Sequence, residues 1–210
     1  MNKLGDLSCN EFLTELASAA PAPGGGGGAA MAGALAAALA SMVANLTIGK
    51  EKFADREPEV KELLKQAEAE RVRLLQLADD DAAVFNSFMS CYKLPKTTDE
   101  EKAARTAAIR AAAKQAATVP LNIARSSFAV LKLADRLVVA GNPGVITDGA
   151  CSGLLARAAL RCAEYNVRIN LGLTKDEAWN AQAAAELKQL LTDAEALENR
   201  LLAVTDKALQ

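Results

Sequence analysis

The strongest constraint on how this chain folds is an uncharged segment that runs from residue 16 to residue 49. It contains a Pro21-Ala22-Pro23 turn, five consecutive glycines from Gly24 to Gly28, and an alanine-rich apolar stretch. A glycine run weakens a fold unless the backbone needs a positive φ or a close approach. Two interpretations follow. The glycines let two helices pack closely, or they form a loop before a helix N-terminus, whose free N–H groups suit an anion or a carbonyl oxygen.

The same segment is long enough to span a membrane. However, glycine and proline divide it, and the remainder is mostly alanine with Ser41, Asn45 and Thr47. That composition is less apolar than insertion into lipid requires. We therefore predict a buried core helix and no membrane partner. The N-terminus also lacks the basic region and early apolar run of a secretion signal, so we expect a cytoplasmic protein.

Helix signals recur along the chain, and no segment alternates like a strand. Ser8, Thr98 and Thr174 each stand three residues before a glutamate, which is the capping-box pattern. We predict an all-α fold, a multihelical bundle with long antiparallel helices, and a single domain over residues 1–210. The expected helices cover 8–20, 28–48, 57–92, 98–138 with a kink at Pro120, 148–172 and 174–207. The second has almost no polar face, so it must lie inside the bundle or against a partner chain, and we expect a homodimer.

Composition excludes several classes of function. The net charge is −2 and the 24 basic residues are dispersed, which argues against a nucleic-acid surface. The chain has no histidine, the commonest metal ligand, and its four cysteines show no CxxC spacing. We predict reduced, buried thiols and no metal. Proton transfer then falls to Asp, Glu, Lys, Tyr or Cys.

Three adjacent carboxylates, Asp79, Asp80 and Asp81, lie within the predicted third helix and are flanked by apolar residues. Successive residues on a helix point about 100° apart, so at least one carboxylate should turn toward the apolar side. Burial and the like-charged neighbours would both raise its pKa, which is how a general acid or base is tuned. The alternative is that all three lie on a solvated rim.

Four further residues are weaker candidates. Lys50 closes the uncharged segment and suits either a helix C-terminus or an anionic ligand. Asp148, after Thr147, is expected to cap the fifth helix. Asn166 and Asn170 are one turn apart among apolar residues, so their amides need partners, either the neighbouring backbone or a polar heterocycle.

Eight short motifs occur together in an order that resembles the cyclodeaminase/cyclohydrolase family, over nearly the whole chain. The resemblance implies an all-helical dimer that binds a folate near glycines 24 to 27, with Asp81 as the catalytic residue. Members often have Ser-Val where this chain has Gly27-Gly28, and the longer glycine run resembles the cyclohydrolase branch. The motifs are Pro21-Ala22-Pro23 with Gly24, Gly25 and Gly26, then 42–50, 77–85, 94–96, 119–121, Gly141-Asn142, Thr147-Asp148 and 166–171.

The family resemblance implies hydrolysis of methenyltetrahydrofolate to formyltetrahydrofolate, with no cofactor beyond the folate substrate. Asp81 would stabilise the bridging cation, take a proton from the attacking water and return it to the departing ring nitrogen. The glycine amides, from Gly24 to Gly27, would hold an oxygen, Lys50 would pair with the folate tail, and Asp148, Asn166 and Asn170 would face the pterin edge. The alternatives are formiminotetrahydrofolate cyclodeamination and a non-catalytic folate-binding dimer.

Overall fold

The computed structural model describes residues 3–210, and across that range the chain forms six α-helices and no strand. The all-α prediction is therefore confirmed. Three single-turn 3₁₀ helices accompany them: Leu4–Asp6 precedes the first α-helix, and Glu51–Phe53 and Pro143–Val145 lie in connections between α-helices. The helices are α1 (Cys9–Leu16), α2 (Gly24–Asn45), α3 (Glu57–Cys91), α4 (Asp99–Ala140), α5 (Ile146–Thr174) and α6 (Glu177–Ala208).

The central helix is α2, which packs against α3, α4 and α5. Its alanines let the neighbouring helices approach closely, and five of them have no solvent exposure. A β-carbon at Gly33 would lie 3.1 Å from both Leu74 Cδ2 and Ser127 Oγ, so the glycine provides room for α3 and α4. By length and hydropathy α2 could cross a membrane, but 61% of its most apolar window is buried by the bundle. The buried alanines are Ala30, Ala36, Ala37, Ala40 and Ala44.

Helix α5 runs antiparallel to α2. A β-carbon at Gly25, near the start of α2, would lie 3.6 Å from Asn166 Nδ2. Farther along, Ser152 Oγ donates to the Ala36 carbonyl at 2.7 Å, and beyond the end of α2 the Asn142 backbone N–H donates to Thr47 Oγ1 at 2.8 Å. Since α2 rises about 1.5 Å per residue, the two ends of this pair are roughly 30 Å apart.

The predicted helix starts were partly right. Ser8 and Thr98 form complete capping boxes with Glu11 and Glu101. The third box was wrong, because Asp176 caps α6 and the Thr174 hydroxyl instead donates to the Asn180 side chain at 2.6 Å. Thr147 and Asp148 do not cap α5, which already begins at Ile146.

The predicted glycine loop was also wrong. Gly24 to Gly28 form the first turns of α2, and only Gly24 has a positive φ, of 57°. The turn that precedes the helix is Pro21-Ala22-Pro23, with a cis peptide bond between Ala22 and Pro23. The glycines follow a helical path because the packing of α2 against α3 and α5 outweighs glycine's poor helix propensity.

Candidate active site

The three adjacent carboxylates of α3 have separate environments. Asp79 Oδ1 accepts a hydrogen bond from the Leu4 backbone at 2.6 Å, which ties the N-terminal segment to α3. Asp80 Oδ1 accepts from Gln76 Nε2 at 2.9 Å along the same helix. Asp81 turns toward the start of α2 and is half-buried. The prediction that one carboxylate faces the apolar side is confirmed for Asp81.

Burial raises the pKa of Asp81 to about 6, and the backbone amide of Gly27 opposes that shift. The like-charged neighbours, which the sequence also suggested as a cause, do not contribute to the raised pKa. The reason is geometric, since Asp79 and Asp80 point to other partners. Near neutral pH Asp81 is mostly an anion, yet it can hold a proton at little cost, as a general acid or base requires.

The glycines determine how closely α2 approaches this carboxylate. A β-carbon at Gly26 would overlap both Asp81 carboxylate oxygens, so any larger residue there would force the carboxylate to move. A β-carbon at Gly28 would meet nothing closer than Leu16 Cδ2 at 3.9 Å. Close approach of bare backbone to a functional side chain is therefore the role of one glycine in the run, Gly26.

The two asparagines of α5 lie on the other side of the same space. Asn170 Nδ2 donates to the Ala116 carbonyl at 2.7 Å and to the Asn166 carbonyl at 2.9 Å. The Ala116 carbonyl is free because residue 120, its normal partner one turn later, is a proline without an N–H. Both amide protons of Asn170 are thus used, and its Oδ1 remains as an acceptor.

A small cavity joins these groups. Its volume is about 90 Å³. Sequence reasoning placed Asp81, Asn166 and Asn170 but missed the aromatic wall and Ala116. The sequence contains one indication of Ala116: Pro120 follows it by four residues, and a proline within a helix leaves the carbonyl four residues before it without its usual N–H donor. The lining residues are Asp81, Val84, Phe85, Phe88, Ala116, Asn166 and Asn170.

Two predicted site residues lie far from this cavity. Lys50 follows the C-terminal end of α2 and Asp148 lies at the start of α5, whereas Asp81, Gly26 and Asn166 are at the opposite end of that antiparallel pair. The separation within one subunit is roughly 30 Å, from the helical rise over these residues. Lys50 and Asp148 therefore cannot act together with Asp81 in a single copy of the chain.

The cysteine prediction was wrong in part. All four thiols are free, but Cys9, Cys151 and Cys162 are exposed and Cys91 is only half-buried. They lie on outward faces of α1, α3 and α5. Within residues 3–210, no three His, Cys, Asp or Glu side chains are grouped as metal ligands would be.

Comparison with known proteins places this geometry in a family. Residues 8–189 match the family model for formiminotransferase-cyclodeaminase. The chain is 45% identical over 197 residues to a methenyltetrahydrofolate cyclohydrolase of Methylorubrum extorquens, covering 94% of this chain and 95% of that one. It is 33% identical over 183 residues to the formimidoyltransferase-cyclodeaminase of Sus scrofa, covering 87% of this chain but only 34% of that protein.

The fold agrees with a solved structure. The crystal structure of a formiminotetrahydrofolate cyclodeaminase from Thermotoga maritima superposes with a TM-score of 0.88 at 30% identity, covering 98% of both chains. Sequence and fold thus match over nearly the whole length. The chain belongs to the formiminotransferase-cyclodeaminase family, the cyclodeaminase/cyclohydrolase family that its motifs resemble.

Proposed function

We propose that this protein is a methenyltetrahydrofolate cyclohydrolase, which hydrolyses 5,10-methenyltetrahydrofolate to 10-formyltetrahydrofolate. The observation that carries the proposal is a half-buried carboxylate, Asp81, with a pKa of about 6, in a cavity also lined by Asn166 and Asn170. The full-length similarity to a relative named for this activity supports the same substrate.

Asp81 is the proposed catalytic residue. The bridging carbon of the substrate carries a delocalised positive charge, which a carboxylate stabilises strongly in a site that excludes water. Water adds to this carbon while Asp81 takes its proton. The tetrahedral adduct then opens: the bond from the bridging carbon to the ring nitrogen breaks, Asp81 returns the proton to that nitrogen, and the hydroxyl group releases its own proton to solvent as it becomes the formyl oxygen. Positioned proton transfer of this kind contributes about 10²- to 10⁴-fold.

The other residues hold the substrate. Gly26 allows the start of α2 to reach the carboxylate, and exposed backbone at Gly24 and Gly25 can donate to a substrate oxygen, since the first N–H groups of a helix lack partners. Asn170 Oδ1 accepts from an N–H donor on the pterin edge, because its amide protons are already used. We assign Asn166 to the same edge.

The proposal includes a cytoplasmic homodimer formed by one-domain subunits, with no cofactor beyond the folate. The free thiols fit a reducing compartment. An exposed apolar row on α2, whose other faces are buried, favours the dimer. No nucleic acid or membrane is part of the proposal.

One spectrophotometric experiment tests the assignment. Loss of the methenyl absorbance is followed with and without protein, in buffers where spontaneous hydrolysis is slow, and Asp81→Asn is the matched control. We expect turnover well above buffer with the parent protein and a loss of at least about 100-fold in the variant. Parent turnover equal to buffer would refute the proposal.

The second candidate is formiminotetrahydrofolate cyclodeamination, which passes through the same cation and releases ammonia. The structural similarity to a cyclodeaminase of Thermotoga maritima favours it. Ammonia release from the formimino substrate separates the two activities. A chain that releases ammonia but leaves the methenyl compound at the buffer rate is a cyclodeaminase, and one that binds folate without either signal is a carrier.

A further inference from the structure

The cavity at Asp81 is too small for the proposed substrate. Pockets for drug-sized ligands usually enclose about 300–1,000 Å³, whereas this one holds about 90 Å³. Its lining also contains no lysine or arginine, although the glutamyl tail of a folate carries carboxylates. A wall and a cation are therefore missing from the part of the site that one subunit provides.

Our candidate for the interface that brings the missing wall is the face of α2 that the bundle leaves exposed. Its outward residues recur at steps of three and four, the spacing of a helix seam. Leu35 is 60% exposed, Met42 41% and Leu46 37%, although most other positions of α2 are buried. No charged residue occurs in the helix. We call this face the α2 stripe; it consists of Met31, Leu35, Leu39, Met42 and Leu46.

A groove next to the α2 stripe complements its most exposed side chain. The groove is shallow, has a volume of about 550 Å³, and has Met42 in its lining. Two α2 helices that pair antiparallel about the middle of the stripe bring Leu35 of each opposite Met42 of the other, and Met31 opposite Leu46. Leu35 of each subunit then occupies the groove of the other subunit. The same contact therefore occurs twice, as a two-fold interface requires. Its lining residues are Ala38, Ser41, Met42, Asn45, Leu46, Glu68 and Arg71.

The same register determines what lies beside the glycines. If position 35 faces position 42, the C-terminal end of the partner's α2 lies beside the glycine end of this α2, and Lys50 of the partner subunit, five residues beyond the last residue of its α2, is next to the helix start that approaches Asp81. Lys50 is exposed and forms no ion pair with any residue in the described range 3–210. It is thus available as the missing cation.

We propose that the active site lies between two copies of the chain, with Asp81, Asn166 and Asn170 from one subunit and Lys50 from its partner, and that Lys50 binds the tail carboxylates. This rests on the proposed function, because the tail belongs to a folate substrate. The proposal also accounts for the separation of roughly 30 Å between Lys50 and Asp81 within one subunit, from the helical rise.

Heterodimers test which subunit provides each residue. One subunit carries Asp81→Asn with one affinity tag, and the other carries Lys50→Glu with a second tag; the two are co-expressed and purified through both tags. If the residues come from different subunits, one site has both changes and the other has neither. We then expect about half the parent activity at folate concentrations below KM. The parent enzyme is assayed first, so a failure of the proposed function appears as an inactive parent.

The opposing result is equally specific. If each site uses Asp81 and Lys50 of one subunit, every site carries one of the two changes. If no site uses Lys50, the heterodimer also keeps about half the parent activity, and the Lys50→Glu homodimer identifies this case because its KM equals that of the parent. With Lys50→Glu raising KM about fivefold, the size expected for a partly exposed ion pair, a heterodimer with both residues from one subunit has about a tenth of parent activity. That value, or a Lys50→Glu homodimer with the KM of the parent, overturns the proposal.

The interface has its own test, the oligomeric state in sedimentation velocity. Leu35→Asp places a charge in the groove and should convert the dimer to a monomer with a raised KM. Leu209→Asp is the matched control, because Leu209 is 62% exposed and follows α6, away from the stripe. Circular dichroism confirms that each variant is folded. A Leu35→Asp variant that remains dimeric, or a parent that sediments as a monomer, contradicts this interface.

Discussion

At the residue scale, the environment of Asp81 links the stability of the fold to pH. A carboxyl whose pKa rises from 3.8 to about 6 on folding binds its proton more tightly in the folded state. The free energy of unfolding of the parent should therefore decrease as pH rises from about 4 to about 6, and this cost remains above that range.

Asp81→Asn should remove this cost. At pH 8 we expect the variant to be more stable than the parent by about 1–3 kcal/mol, since one unit of pKa corresponds to about 1.4 kcal/mol. Near pH 3.5, where Asp81 is mostly protonated in both states, the two should unfold at nearly the same urea concentration. Urea titrations at both pH values check this, and a variant that is less stable at pH 8 would contradict the burial of an ionised carboxylate.

Gly26 is the second residue-scale determinant. Gly26→Ala should reduce kcat/KM at least about tenfold, because the added methyl group overlaps the Asp81 carboxylate and such overpacking costs about 1–3 kcal/mol. Gly28→Ala, in the first turns of the same helix, should retain activity. Its free energy of unfolding should rise by up to about 1 kcal/mol, because alanine has the higher helix propensity. Equal activity in the two variants would show that Gly26 does not position the carboxylate.

At the element scale, Pro120 and Asn170 form one unit across α4 and α5. Asn170→Ala leaves the Ala116 carbonyl without a donor, which should cost about 1–3 kcal/mol. Adding Pro120→Ala restores a backbone N–H to that carbonyl, so the double variant should recover much of the lost stability. Its KM should stay raised, because the Asn170 acceptor is still absent. Thermal unfolding of the four proteins measures the coupling, and purely additive effects would disprove it.

The same elements show what sequence patterns can predict. The capping boxes at Ser8 and Thr98 fixed two helix starts, because each depends on residues three apart. The glycine run was assigned to a loop, since local propensity carries no information about the packing that makes it helical. Likewise, periodicity indicates that one of the three aspartates turns inward but does not say which. The hydrogen bonds of Asp79 with Leu4 and of Asp80 with Gln76 leave Asp81 as the one that faces α2.

At the scale of the whole molecule, the candidate site was predictable only in part. The family resemblance brought Lys50 and Asp148 together with Asp81, yet the antiparallel packing of α2 on α5 separates them within a subunit. Sequence order does not say which copy of a chain provides a residue. Our proposal that the partner provides Lys50 rests on the α2 stripe, an apolar face that its own bundle leaves uncovered.

A dimer held by the α2 stripe makes thermal stability depend on protein concentration. Because dissociation accompanies unfolding, the Tm of the parent should rise by a few degrees over a hundredfold increase in concentration. The Tm of Leu35→Asp should be lower and independent of concentration. Differential scanning calorimetry at two concentrations distinguishes these behaviours, and a parent Tm that does not change with concentration would argue against the dimer.

The most direct test of the account is the pH dependence of kcat/KM for methenyltetrahydrofolate hydrolysis, corrected for buffer. Because this ratio reports ionisations of the free enzyme and the pKa of Asp81 is about 6, the parent should lose activity about tenfold per pH unit below that value. The kcat/KM of Asp81→Asn should not decrease in this way below pH 6 and should be far below that of the parent. A parent profile that is flat between pH 5 and pH 7, or an Asp81→Asn variant with parent activity, would contradict the assignment of Asp81 as the catalytic base.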